Sequence, residues 1–425
     1  MTHNWLFTCY ALLIYSTIQF YKTPSTLWAV LIGIFCGWAT ITRPSEVIMI
    51  VLPVLWGVSS YKSAIDRIQH IINHKFLYLA SSLTFASTVF LQLAYWKFVT
   101  GEWLVYSYEN QGFSWLKPHV FDVLFSYRAG WLIYSPLLLF SIIGLLMLPK
   151  RIPSMALAVS TYFLLNLYIV SSWDIWWYGG SLGMRALVQS YAVLLIPFAV
   201  FVEWSMKTKG RKVAVAGLSI LFVWMNGWWT IQAHRENGLF ASEQMTKSYF
   251  WKVIGKSESN SEWLKLLDTD EIYSAENRFD VQVLYKTGFE NDTTIITETS
   301  PISGTRSLLL TKEQQYSPEI TLELVDFNKE WIRVSCRIAC EEKEWEYWKM
   351  TQLIARFKNG EATVKESAIR LQRHVDNSEI KLVFLDIKVP SNKPFDKLDI
   401  LLWNGESNKK VKVDDLQVEA FNSFQ

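Results

Sequence analysis

The first 230 residues carry very little charge, and no other feature limits the fold of this chain so strongly. They hold 22 charged side chains (15 basic, 7 acidic), whereas residues 231–425 hold 58 (26 basic, 32 acidic). Apolar runs of spanning length lie at 5–21, 25–41, 46–59, 76–96, 131–149, 153–171, 187–205 and 212–230. A helix of about 20 such residues crosses the ~30 Å hydrocarbon core of a bilayer. A single soluble domain does not divide its charge in this way. A nucleic-acid binder would not gather its acids in its polar half, so nucleic acid is excluded as a partner. The sequence therefore predicts a polytopic α-helical membrane domain of about eight spans over 1–230, with membrane lipids as its surroundings. The 21 Trp of the chain fit interfacial or sugar-facing surfaces.

Basic residues in short loops set the orientation. Lys62, Arg67 and Lys75 follow the third run, Lys150 and Arg151 the fifth, and Lys207, Lys209, Arg211 and Lys212 the seventh. With these loops cytoplasmic, the segments 97–130 and 172–186 and everything after 230 face outward. The expected location is a bacterial inner membrane, multi-pass, with the C-terminal domain periplasmic. Met1 to Tyr21 has no basic leader and is not a signal peptide. A start on the outer side with no charge to direct it leads to the expectation that earlier spans are missing upstream.

Unusual side chains collect on the outer side. The loop at 172–186 reads SWDIWWYGGSLGMRA, and 97–130 is dense in aromatics. FDVLF in that second loop and WLIY at the start of the fifth run suggest a short interfacial helix before that span. Trp and Tyr there can simply anchor spans, but a belt needs no Gly-Gly flanked by Asp and Arg. Arg43 precedes Pro44 and Glu46 at the outer start of the third run, and Arg185 opens the seventh. Helix starts offer free N–H groups to an anion, and an Arg fork pairs with phosphate in two-point geometry. The simpler alternative is that both arginines snorkel to headgroups. Glu109 and Asp174 are the best-placed outer acids for general acid–base work, although an ion pair would explain each equally well. His70 and His74 share a helix face, but without a third ligand they read as part of a basic cytoplasmic segment.

On GIFCGWATITRPSEVIMIVLP, YSYENQGFSW, FSYRAGWLIYSPLLLF and WWYGGSLGMRALVQSYAVLLIPFA, residues 5–230 resemble bacterial GT-C integral-membrane glycosyltransferases of the protein O-mannosyltransferase and aminoarabinose transferase group. The resemblance implies transfer of a sugar from a polyprenyl-phosphate donor to a glycan, lipid or protein acceptor on the outer face. It implies Arg43 near the donor phosphate and Asp174 to Arg185 lining the cavity; in that reaction Arg185 would join Arg43 at the phosphate, and Asp174 or Glu109 would be the catalytic or orienting acid. Trp173, Trp176, Trp177 and Tyr108 would contact sugar. The acid that this family carries in its first outer loop is expected in the missing upstream segment, so these residues alone could be an inactive fragment.

Residues 231–280 read as a helical connector, with apolar residues three and four apart. From about 281 the pattern alternates: FDVQVLYK, TRSLLLT, EITLELVDF, WIRVSCRIAC, TQLIARFK, IKLVFLDIKV, KLDILLWN and KVKVDDLQVEAF. Eight short strands between polar turns predict an all-β sandwich over 281–425, jelly-roll-like. Cys336 and Cys340 lie four apart along one strand, about 13 Å, too far for a direct bridge. On GFE at its start, Gly304 and Ser307 in SGTRS, and VDD near its end, this domain resembles carbohydrate-binding jelly rolls. That resemblance implies a structural calcium at Glu290 and Asp415, with Asp414 as the alternative, and Trp345, Trp348 and Trp403 for stacking on sugar rings. The alternatives to a glycosyltransferase are a non-catalytic membrane protein with a glycan-binding outer domain and, on weaker grounds, a lipid-linked sugar transporter.

Overall fold

The computed structural model describes residues 2–106, 108, 111–273, 277–290, 300–376 and 379–423. The chain divides into two compact units, Met1–Met245 and Thr246–Gln425.

The first unit is helical. Its elements are α1 (Thr2–Lys22), α2 (Thr26–Thr42), a 3-10 segment (Pro44–Ile50) running into α3 (Val51–Leu55), α4 (Tyr61–Asn73), α5 (Lys75–Thr100), α6 (Val120–Phe125) and α7 (Trp131–Tyr134). There follow α8 (Leu139–Arg151), α9 (Pro153–Ser172), a 3-10 segment (Arg185–Ser190) leading into α10 (Tyr191–Ser205), and α11 (Lys209–His234). Local signals explain several ends. Ser60 and Ser63 form a reciprocal capping box on α4, Thr208 caps α11, and Gly101, at φ 81°, ends α5 in the left-handed conformation.

All eight apolar runs contain helix, yet the expectation of eight spans is not met. Among the described residues, four helices are long and apolar enough to cross a membrane: Lys75–Thr100, Pro153–Ser172, Arg185–Ser205 and Lys209–His234. The first run lies in α1, which is long enough but not apolar enough; for the other three the reason is backbone geometry. Thr26–Thr42 has 17 residues and Pro44–Leu55 is half 3-10, so both fall short of ~30 Å. The run at 131–149 breaks after Tyr134, where Ser135 leaves helical geometry ahead of Pro136. Two of the four, α5 and α11, lie almost wholly outside the protein core.

Packing inside this unit relies on small residues. Gly33 and Gly37, four apart on α2, face α5: a Cβ on the first would run into the carbonyl of Ser81, and one on the second into Thr88. This is the close backbone approach of small-xxx-small crossings. Gly144 of α8 meets the carbonyl of Pro197 on α10 in the same way. The buried core runs from Leu6, Tyr10 and Leu13 through Met49, Trp131, Val159 and Tyr162 to Leu187 and Val193.

The second unit opens with α12 (Lys247–Val253) and a 3-10 turn (Ser261–Leu267), then forms two antiparallel sheets. The strands are β1 (Arg278–Thr287), β2 (Leu308–Leu310), β3 (Ile320–Glu323), β4 (Trp331–Cys340), β5 (Gln352–Asn359), β6 (Ala362–Arg370), β7 (Lys381–Lys388), β8 (Lys397–Trp403) and β9 (Val411–Ser423). One sheet runs β1-β9-β4-β7, with β2 also on β9, and the other runs β3-β8-β5-β6. Strict alternation in β4 buries Ile332, Val334, Cys336, Ile338 and Cys340 between the sheets, and both cysteines are free thiols. The eight strands expected from sequence are present. A ninth, β6, joins β5 through a tight turn containing Gly360 at φ 57°. Its residues ATVKESAIR lie at the sheet edge and are largely polar, so they lack the apolar alternation that marks the others.

The segment before β1 is strapped to the sandwich by buried charge. Asp268 accepts the amide of Arg370 at 3.0 Å and pairs with the guanidiniums of Arg370 and Arg373. Glu271 takes Lys365 Nζ at 2.5 Å and the Lys388 amide at 3.0 Å. Asp386 accepts the amide of Tyr273 and a two-point contact from Arg333, at 2.6 and 2.9 Å.

Candidate functional site

In the helical unit the polar residues converge where α2 ends. Arg43 has extended backbone there, and its guanidinium lies 5.3 Å from the centroid of the Tyr178 ring. Glu46 lies three residues on, in the 3-10 segment. It turns inward, 1% exposed, and accepts Tyr10 Oη–H at 2.6 Å and Gln189 Nε2–H at 2.8 Å. Arg43 Nη1 stands 3.6 Å from Glu46 Oε1, an ion pair beyond hydrogen-bond length, and makes no hydrogen bond among the described residues. Both arginines open 3-10 segments rather than α-helices, so the aligned N–H groups of a helix start are not what they share.

His3 connects the arginines. Its Nδ1 contacts Gln189 Oε1 at 3.4 Å, and burial together with the charges of Arg43 and Arg185 holds its pKa below the usual histidine range. Behind them, Tyr162 Oη and Asn166 Nδ2 both meet Ser190 Oγ, at 3.1 and 2.6 Å. Tyr178, at φ 55°, donates to the Val170 carbonyl, and burial pushes its phenol up to about 12 against the opposing pull of Arg43. Beside it Gly179, at φ 72°, lies between Arg185 and Glu243: a Cβ there would come 3.5 Å from the first and 3.7 Å from the second. The sequence picked out Arg43 and Arg185 but not Tyr10, His3 or Gln189. A lone Gln inside LVQSYAVLL was the available signal.

Asp174 sits apart from this cluster in its bonding. Its carboxylate accepts the Gly112 amide at 3.0 Å and Ser114 Oγ–H at 2.6 Å, while its own amide donates to the Gly112 carbonyl. Phe113 and Trp173 form a β-bridge, and Ser114 and His119 donate to the carbonyls of Ser172 and Ser171. The two outer loops expected from sequence are thus one zipped structure. Trp173 is buried within it, packed edge-on against Tyr108 at 5.1 Å and Phe113 at 4.9 Å. Trp176 stacks on His119, and Trp177 lies 3.6 Å beneath the guanidinium of Arg128. Glu109 lies outside the described residues.

The sandwich carries a second cluster. Tyr316 forms a β-bridge with Trp403, and their rings stack at 6.4 Å and 15°. The loop at 344–349 lies against Gly405, where a Cβ would come 2.6 Å from the Trp348 carbonyl. Buried Glu344 fastens the two loops by accepting Ser407 Oγ–H at 2.5 Å. Trp345, Trp348 and Tyr316 are left 78%, 56% and 57% exposed. Tyr316 was not foreseen, since TLELV and its neighbours read only as strand and turn.

The carboxylates expected to hold calcium divide between different partners. Glu290 grips the Thr305 amide and hydroxyl, and these hydrogen bonds hold its pKa below the usual carboxylate range. Asp415 faces Arg337 at 3.6 Å. Asp414 is the inward residue, accepting the Ser303 amide at 3.0 Å and Ser307 Oγ–H at 2.7 Å. The cause is a bulge in β9 opposite Ser335 and Arg337, with Asp415 at φ 47°. Among the described residues no group of three or more His, Cys, Asp or Glu side chains gathers as a metal site.

No protein-family model matches the chain, and no curated protein matches it. Solved structures with detectable likeness include a Family 16 Carbohydrate Binding Module-2 (12% identity, TM-score 0.20, covering 28% of this chain and 78% of that one). Another is the CBM22-1 xylan-binding domain from Paenibacillus barcinonensis Xyn10C (15% identity, TM-score 0.22, covering 35% and 100%). A third is the enzymatically active domain of bacteriophage CBA120 tailspike protein 4 (11% identity, TM-score 0.22, covering 34% and 20%). None of the matches supports the glycosyltransferase resemblance of residues 5–230.

Proposed function

We propose that this is a membrane-associated protein whose β-sandwich unit binds glycan. The observation that carries the reading is a set of aromatic side chains on neighbouring loops of the sandwich: Tyr316 stacked on Trp403, and exposed Trp345 and Trp348 on the loop that lies against Gly405. Large aromatic faces left in water at a rigid site are ready partners for the apolar C–H faces of sugar rings, and their rigidity lowers the ordering cost. The full chain in detergent, titrated against a panel of soluble oligosaccharides, should show saturable binding. Trp348→Ala should weaken it about ten-fold with an unchanged melting temperature, because one well-placed aromatic contact is worth roughly 1.4 kcal/mol and the ring is exposed. Unaltered binding in Trp348→Ala and Tyr316→Ala, or no binding to any oligosaccharide, would remove these side chains from the account.

A second reading, sugar transfer from a polyprenyl phosphate to an outer-face acceptor, is favoured by one observation: two guanidiniums flank neighbouring residues, Arg43 at 5.3 Å from the Tyr178 ring and Arg185 at 3.5 Å from the Cβ position of Gly179. Together they form a cationic locus suited to a leaving phosphate. In this reading Glu46 holds Arg43 in place, and Asp174 holds the 112–114 loop rather than moving a proton, since both its oxygens are already bonded. Membrane vesicles given a radiolabelled polyprenyl-phosphate sugar test it. Arg43→Ala and Arg185→Ala should each lower transfer at least 100-fold, the loss of one preorganised charge contact to a leaving group, and wild-type turnover in both variants would end this reading.

A further inference from the structure

A cavity of about 180 Å³ lies among α1, α2, α3 and α5, on residues that neither reading above uses. Its wall is apolar, formed by Phe20, Ile32, Pro53, Leu77 and Phe85 among others, and its rim includes Val54 and Ser82, both exposed on the outside of the helical unit. A dry cavity of this size lined by such side chains takes apolar guests. Its polar edge is built from Tyr21 and Tyr78. Tyr21 Oη donates to the Pro53 carbonyl at 2.8 Å, the two hydroxyls are 3.2 Å apart, and His70 Nδ1 lies 3.1 Å from Tyr78 Oη.

Arg67 closes that edge. Its guanidinium lies 3.7 Å from the centroid of the Tyr21 ring and donates from Nη2 to the Trp56 carbonyl, while its buried Nε finds no acceptor among the described residues. His74 packs against His70 with ring centroids 4.3 Å apart, and Lys75 begins α5. The helix bearing Arg67 also bears Lys62, with Asp66 as its one acid, and it buries none of its side chains. Ile65, Ile68 and Ile72 form an exposed apolar stripe along it, so α4 has the form of an interfacial helix directly preceding the membrane-length α5.

We propose that this cavity holds one acyl chain of an anionic phospholipid, with the lipid phosphate beside Arg67, His70 and Lys75. Three features select that occupant over others: an apolar cavity whose rim is on the lipid-facing side, an excess of positive charge at its polar edge, and an amphipathic helix that places this edge at headgroup depth. The cavity lining includes neither Arg43 nor Arg185, and the site does not depend on either functional reading.

Native mass spectrometry of the full chain, exchanged from detergent into mixed phosphatidylglycerol and phosphatidylcholine micelles, tests it. Wild type should retain one phosphatidylglycerol per chain. Ala29→Phe, which fills the cavity, and Ser82→Trp, which blocks its exposed rim, should each lower retention of both lipids about ten-fold. Arg67→Gln should lower phosphatidylglycerol retention about ten-fold, the size of one charge-assisted hydrogen bond, and leave phosphatidylcholine unchanged. Ser82 is exposed, so folding is not at stake in that variant. Wild-type retention in Ser82→Trp, or no retained lipid in wild type, would overturn the proposal. If Arg67→Gln keeps its preference for the anionic lipid, the phosphate assignment falls. Inorganic phosphate alone should leave the melting temperature unmoved, and a shift would mean a free-anion site instead.

Discussion

Lys265 shows what a single side chain does to the sandwich unit. Its ammonium is 3% exposed, lies 2.9 Å from the centroid of the Phe384 ring and pairs with Glu262 at 2.6 Å. Burial outweighs the partner and lowers its pKa from 10.5 to about 8. Between those values the unfolded chain keeps a proton that the folded chain has released. The stability of this unit should therefore rise as pH rises from 8 to 10.5, by on the order of 2 kcal/mol. Lys265→Met should flatten that slope when melting temperature is followed against pH; an unchanged slope would place its origin elsewhere. The same scale shows where sequence was informative. Arg43 and Arg185 stood out as isolated charges in apolar surroundings. The partners of Glu46 did not, because Tyr10, Glu46 and Gln189 meet only across three separate segments. Which of Asp414 and Asp415 faces the core was not legible, because one bulge reverses the facing of two neighbouring residues.

At the scale of elements, the contact of α2 with α5 sets the helical unit apart. Gly33 and Gly37 allow two backbones to approach in a place where hydrophobic burial gives little preference for one neighbour over lipid. Gly37→Leu should lower the thermal stability of the detergent-solubilised chain by about 1–3 kcal/mol, since Thr88 and its backbone must move. Gly227→Leu on α11 is the control: nothing lies within 4 Å of its Cβ position, so it should be neutral or slightly stabilising. Equal melting temperatures in both variants would show that the crossing is loose. The apolar runs were legible as helices because periodicity and length are local properties. The break at Ser135 is local too, set by Pro136, whereas the 3-10 path of Pro44–Ile50 has no such signal in its apolar pattern. For the same reason β6 was overlooked: an edge strand is defined by pairing with β5, not by its own pattern.

For the whole molecule, the sandwich has a self-contained core from Phe289 and Leu308 to Ala420, and the strap at Asp268 and Glu271 is bonded to that same unit. Residues 246–425 expressed alone should therefore give a soluble β-protein with a single cooperative melt. Residues 281–425, without the strap, should melt lower, because Arg370 and Arg373 lose Asp268 and Arg373 is 8% exposed. Equal stability of the two pieces would show that the strap adds nothing.

Charge distribution and hydrophobic period are properties of the chain itself. They alone settled that a helical, apolar part precedes an antiparallel β-sandwich, since burial of apolar surface acts on each segment wherever it lies. Tertiary structure decided the rest. It set how many helices are long enough to span, turned Asp414 inward in place of Asp415, and joined the 112–119 loop to 171–174. It also gathered Tyr10, Arg43, Glu46, Tyr178 and Gln189, and placed Tyr316 on Trp403. Each of these is a contact between residues far apart in sequence, and its energy exists only once other elements have brought the partners within hydrogen-bonding or van der Waals range.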